Sequence, residues 1–143
     1  MTMSPYPAKL KPEAEAGYTV TFRDLGEAIA YGEDEAEALE RAGEILADAL
    51  SYYAEKGDPF PKASAPKRGE KLVFLPVVIQ AKLALWARMG ALRLSKVELA
   101  ARLGVDEKAV RRMLRLDYGS GVDKIEEALA ALGRRSVFSV SAV

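Results

Sequence analysis

A chain of 143 residues, half of them hydrophobic and 29% charged, has the size of one ordinary domain or two small ones and a normal globular balance. It contains neither cysteine nor histidine, which excludes disulfides and thiolate metal sites and removes the commonest general base and metal ligand. No apolar run approaches the roughly 18 residues of a membrane helix, and the N-terminal stretch lacks the apolar core of a signal peptide. The expectation is a cytoplasmic protein with no membrane partner, no cofactor and no metal.

The net charge of zero hides a division. Residues 1–70 carry 8 basic and 14 acidic side chains, whereas residues 71–143 carry 13 and 7. Such asymmetry suggests two surfaces whose partners differ in charge.

Along the chain, Tyr6, Ala8 and Leu10 alternate with Pro7, Lys9 and Lys11, the period of a half-buried strand. A polar connection ending at Gly17 leads to a second strand, where Tyr18, Val20 and Phe22 alternate with Thr19, Thr21 and Arg23. Asp24, Leu25 and Gly26 turn the chain into a short third strand at residues 28–31. Asp34 then caps a helix with Glu35 and Glu37 at its positive end. Ala36, Leu39, Gly43, Leu46, Leu50 and Tyr53 give its apolar face, with Glu37, Glu40, Glu44, Asp48 and Glu55 opposite. Residues 56–70, with three prolines and two glycines, read as a linker, and residues 71–76 as a fourth strand buried on both faces.

From Val77 the period becomes helical: Val78, Ala81, Leu85, Met89 and Leu92 share a face, with Trp86 beside it. Ser95 caps the next helix and Glu98 completes a capping box; Gly104 ends it. Asp106 caps a helix running to about Leu116, a loop follows from Tyr118 to Gly121, and Asp123 caps a last helix over residues 124–132. Residues 136–143 read as a C-terminal strand. The expected class is α+β. A β-β-β-α-β unit, a three-stranded meander with a returning strand, occupies residues 1–76, including the linker at about 56–70. An all-α unit with a short terminal strand occupies residues 77–143.

Within the second unit, residues 96–115 have the pattern of a helix-turn-helix. Ala100 stands four residues before Gly104, where two helices must approach, and Gly104 takes the backbone through the turn. Leu99, Leu103, Val105, Val110 and Met113 or Leu114 are apolar where the interior needs them. The second helix of such a unit enters the major groove of duplex DNA. Its outward positions are Asp106, Glu107, Lys108, Arg111, Arg112 and Arg115, and arginine suits both guanine edges and phosphate. Ser95, Lys96 and Arg93 are placed to hold phosphate. One short helix discriminates poorly, so a homodimer or homotetramer on paired half-sites is expected, with the terminal strand or the Trp86 helix as alternative dimer surfaces and core as the equal alternative for both.

Several segments in order resemble the HicB antitoxins: Tyr6-Pro7-Ala8, residues 17–25, Glu37-Ala38-Leu39, Leu75-Pro76 leading into a helix, the helix-turn-helix, and residues 128–133. The resemblance runs from Tyr6 to about Val140. It implies a partial ribonuclease-H-like N-terminal domain that neutralises a HicA-like mRNA-cleaving toxin, and an Xre/Cro-like C-terminal domain that represses the operon by binding operator DNA. The family usually carries proline where this chain has Arg23. The acidic first half suits a basic, RNA-binding partner, and Asp24, Tyr31, Glu33, Glu37, Glu40 and Glu44 are the candidate toxin contacts.

Two other readings stay open at this point. A transcription regulator could sense a small ligand through its N-terminal domain. A vestigial nuclease would use Asp24, Glu27, Glu33, Asp34 and Glu35, but no acid lies in the central strand at residues 18–22, and these five read well as turn and first-turn residues. The chain is therefore expected not to be an enzyme.

Overall fold

The computed structural model describes residues 5–117, 119–140 and 142. Strands β1 (Tyr6–Pro12), β2 (Tyr18–Phe22) and β3 (Leu25–Gly32) form an antiparallel meander, and β4 (Lys71–Val73) returns to pair antiparallel with β1. The order is β3-β2-β1-β4. Alternation decides which residues face which side. Ala8, Val20, Phe22, Ala28 and Ala30 are buried beneath helix α1 (Glu35–Lys56), while Lys9, Thr21 and Ile29, aligned across β1, β2 and β3, face outward. The meander, helix and returning strand are the expected β-β-β-α-β unit.

Three details differ from the sequence expectation. The turn into β3 is Arg23 and Asp24 alone, so the strand starts at Leu25, whose side chain is 1% exposed; a slip in register after Thr21 absorbs the extra residues as a bulge. The fourth strand ends at Val73 and is an edge: Val73 and Leu75 are buried but Leu72 and Phe74 are exposed, so it alternates instead of burying both faces. On α1 the buried stripe is Ala38, Ala42, Leu46, Ala47, Leu50 and Ala54. Of the six expected face residues only Leu46 and Leu50 are fully inside; Ala36 is exposed, and Leu39, Gly43 and Tyr53 lie at the margin. Alanines let the helix axis sit close to the sheet, and close approach rotates the buried face towards them.

Residues 58–70 have no regular structure, yet they are tied down. The Tyr6 hydroxyl donates to the Pro61 carbonyl (2.6 Å), and the Ser64 amide and hydroxyl donate to Asp24 (2.8 and 2.6 Å). Arg23 donates to the Ala65 carbonyl (2.5 Å) and pairs with Glu70 (3.0 Å). Phe60 and Ala63 pack on the sheet core.

Helices α2 (Val77–Leu92), α3 (Lys96–Leu103), α4 (Glu107–Leu114) and α5 (Val122–Ala131) build a second core from Leu85, Met89, Leu99, Ala100, Val110, Leu114, Ile125 and Leu129, among others. Helix α2 belongs to both cores: Leu83 joins the first, Leu85 and Met89 the second. A helix between two cores needs apolar residues on two sides, so the single expected face does not hold, and Leu92 is 41% exposed. At the joint, Gly90 of α2 lies so close to α1 that a Cβ there would stand 3.0 Å from the Gly57 Cα.

Four further expectations need correction. Helix α4 stops at Leu114, because Leu116 leaves to pack on the first core. Val105 is 42% exposed and does not fill the interior. Gly121, not Asp123, caps α5, and Asp123 lies in its first turn. Residues 134–140 form no strand: Val137, Phe138 and Val140 are 83%, 68% and 84% exposed, since strand-forming side chains without a neighbouring edge have no ladder to join. Ser141 and Val143 of that expected strand, and Tyr118 of the expected loop, lie outside the described residues. Among the described residues no helix is long and apolar enough to cross a membrane.

Candidate functional site

Two surfaces carry the candidate residues. The first is the pair α3 and α4, joined by residues 104–106. Ser95 starts α3 by a reciprocal capping box: the Glu98 amide donates to the Ser95 hydroxyl (3.1 Å) and the Ser95 amide donates to the Glu98 carboxylate (3.0 Å). The Ser95 amide holds the Glu98 carboxyl below its ordinary pKa. Gly104 closes α3 at φ +68°, a left-handed conformation that costs a side-chain-bearing residue about 1–2 kcal/mol. Asp106 starts α4 by accepting from the Ala109 amide (2.9 Å). Leu99, Ala100, Val110, Met113 and Leu114 lock the pair from inside.

The outer side of α4 is basic. Lys108, Arg111, Arg112 and Arg115 are all exposed, and Glu107 is half-buried. Arg111 pairs with Glu107 (2.7 Å) and Arg115 with Asp117 (2.8 Å), which lowers the Asp117 pKa. Among the described residues no carboxylate pairs with Lys108 or Arg112. Lys96 is half-buried, its ammonium 6.0 Å from the centre of the Trp86 ring. Arg93 ends α2 at φ 53°, the one non-glycine residue with positive φ among those described, and points the chain into Ser95. Thus the Ser95, Lys96, Asp106, Glu107, Lys108, Arg111, Arg112 and Arg115 set lies on one continuous stretch, but its members differ in what they are able to do. Ser95 and Asp106 are engaged as caps, and Arg111 must leave Glu107 before it can reach a new partner.

The second surface is α1. Glu40, Glu44 and Asp48 are exposed along it, and Glu33 precedes it. Glu37 is half-buried: its carboxylate accepts from the Glu33 amide (3.2 Å) and lies 3.5 Å from Arg41. The remaining candidates stand elsewhere. Tyr31, with Ile29, lies on the sheet face turned away from α1 and donates to the Ala16 carbonyl (3.1 Å). Asp24 is half-buried and accepts from the Ser64 amide and hydroxyl. The acidic candidates of α1 therefore share a face, and Tyr31 and Asp24 do not share it.

Four of the five acids considered for metal chemistry have other partners. Asp24 binds Ser64, Glu27 accepts from the Tyr53 hydroxyl (3.1 Å), Asp34 caps α1, and Glu35 pairs with Lys71 (2.7 Å). Among the described residues no group of three or more acidic side chains could hold a metal ion.

Sequence reading overlooked Lys82, which is fully buried and donates to the Arg115 carbonyl at the end of α4. Burial pushes its ammonium pKa down. The signal was present, because residues 78, 82, 85 and 89 follow core spacing and the second of them is a lysine.

Comparison with known proteins identifies a family. A family model described as HicB_like antitoxin of bacterial toxin-antitoxin system matches residues 5–84, the sheet, α1 and the first half of α2. The chain is 31% identical over 129 residues to Antitoxin HicB of Escherichia coli (strain K12), covering 90% of this chain and 94% of that protein. It is 36% identical over 129 residues to Antitoxin HicB 2 of Photorhabdus laumondii, covering 90% and 91%. It is 35% identical over 120 residues to Antitoxin HicB of Pseudomonas fluorescens, covering 83% and 82%. The chain belongs to the HicB-like antitoxin family of bacterial toxin–antitoxin systems.

Proposed function

We propose that this chain neutralises a HicA-like, mRNA-cleaving toxin with its N-terminal half and represses its own operon by docking α4 in the major groove of operator DNA. Similarity over nearly the whole chain to proteins named antitoxins supports the first role. The observation that carries the second is the solvent-facing row Lys108, Arg111, Arg112 and Arg115 on a helix capped at both ends of its turn by Gly104 and Asp106. In this reading Lys96 and the amides near Ser95 hold phosphate, while Arg111 and Arg112 read bases. A single α4 spans too few bases for useful discrimination, so the protein acts as a homodimer or homotetramer on paired half-sites. The exposed acids Glu33, Glu40 and Glu44 with Glu37 form the toxin-facing surface, and the other two candidate contacts, Asp24 and Tyr31, lie off that face. The role is binding and not catalysis.

Co-expression with a HicA-like toxin tests the toxin role. A complex that co-purifies at low salt and weakens as salt rises is expected, because exposed charge contacts are screened; failure to co-purify at low salt removes the role. A regulator that senses a small ligand would instead need room between helix and sheet, where Val20, Phe22, Leu25, Leu46 and Leu50 are packed without exposure.

A further inference from the structure

Lys82 is the one charged side chain fully buried among the described residues. A buried ammonium is costly unless it is hydrogen-bonded, and here it donates to the carbonyl of Arg115, the residue that caps the C-terminal end of α4. The last carbonyls of a helix lack intrahelical partners and carry the negative end of its dipole, so a cation there is well placed. The next residue, Leu116, crosses to the first core and packs with the sheet and α1. Lys82 lies on the helix that joins the halves, one residue from Leu83 in the first core and three from Leu85 in the second. The same helix approaches the end of α1 closely, where a Cβ on Gly90 would stand 3.0 Å from the Gly57 Cα.

We propose that Lys82 is a positioning residue for the DNA-docking helix, holding the C-terminal end of α4 from α2 so that α4 keeps one orientation relative to the sheet half. The proposal rests on the DNA-docking reading above. Two copies of α4 can enter successive major grooves only if each is fixed in angle and spacing to the body that carries it. The N-terminal end of α4 is fixed by the turn at Gly104 and the cap at Asp106; Lys82 and Leu116 fix the other end.

The test uses the full chain, with Lys82→Met keeping the apolar stem and removing the donor, and Leu116→Ala as an independent variant should Lys82→Met fail to fold. Affinity is measured for a duplex from the region upstream of the chain's own operon and for a scrambled duplex of equal length. Lys82→Met is expected to lose about tenfold in affinity for the upstream duplex, the size of one charge-assisted hydrogen bond. Leu116→Ala, which loosens the same end of α4 by removing packing, is expected to lower that affinity in the same direction. Binding of each variant to the scrambled duplex, which needs only phosphate contacts, should stay within about twofold. Orientation is read separately. The chain has no cysteine, so spin labels on Glu44→Cys and Lys108→Cys report the distance between α1 and α4 without DNA. A single narrow distribution is expected in the parent protein and a broadened one in either variant. Unchanged upstream affinity with an unchanged distribution in a folded variant overturns the positioning role alone. A parent protein that binds neither duplex overturns the DNA-docking reading and the positioning role with it.

Discussion

The sheet half and the helical half of this molecule are held together by different means. In the sheet half, long-range pairings do the work: β1 lies between β2 and the much later β4, and residues 58–70 are tied back by Asp24, Arg23 and Tyr6. In the helical half, the elements are short and defined locally, by Ser95 with Glu98, by Gly104 and by Asp106, before packing completes them. The outer charges differ as well, acidic along α1 and basic along α4. A small binding surface is thus positioned in two ways, by a broad rigid sheet or by caps that set the ends of short helices. Helix α2 serves both halves and couples them.

The most severe way to break this comparison is to empty each core in turn. Leu50→Ala in the sheet half and Leu99→Ala in the helical half each remove a side chain with no exposure, at an expected cost of about 2–5 kcal/mol. Because α2 contributes to both cores, each variant should melt in one transition. Two separate transitions in calorimetry would show that the halves unfold independently.

The functional contrast comes next. Replacing Arg111 and Arg112 together with alanine is expected to cost about 1–3 kcal/mol of discrimination for each base that an arginine reads. Lys96→Ala should instead weaken binding to every duplex alike. A gel shift unchanged by the double substitution would remove α4 from the interface.

A smaller effect isolates the local turn. A Cβ on Gly104 meets nothing within 4 Å, so Gly104→Ala costs only the backbone penalty of a left-handed residue, about 1–2 kcal/mol. A melting temperature equal to that of the parent would show that the turn relaxes freely.

The least effect is set by pH at the start of α3. The folded pKa of Glu98 is depressed, first by the Ser95 amide and then by its hydroxyl. Its stabilisation is therefore present above the unfolded carboxylate value and is lost as pH falls through the folded one. Glu98→Gln should narrow the gap between melting temperatures at neutral and acidic pH; an unchanged gap would assign the acid sensitivity elsewhere, for instance to Glu70, held down by Arg23.

Local chemistry was legible where it acts within a few residues. The caps at Asp34, Ser95 and Asp106 and the Gly104 turn all stand where their residue types demanded. The alternation at Tyr18, Val20 and Phe22 marked β2 correctly. Misreadings fell where the deciding partner is distant. The spacing of larger side chains on α1 points to a face through Leu39 and Tyr53, whereas the sheet selects the neighbouring stripe with Ala38, Ala42 and Ala54. Prolines and glycines in residues 56–70 announce irregular backbone, but nothing near them reveals Asp24 and Arg23 as anchors. The apolar C-terminal residues have strand propensity, and propensity without an edge makes no strand.

The residues alone settle the β-β-β-α-β order, the four later helices, the caps at Asp34, Ser95 and Asp106 and the separation of acidic from basic charge. Each depends on side chains acting on their own or adjacent backbone, or on simple counting. It took the packed fold to decide that α2 is shared between two cores, that Asp24 anchors the linker through Ser64, and that a buried Lys82 grips the end of α4. Those outcomes depend on which surfaces meet across the fold, and burial acts on such pairs whatever their distance along the chain.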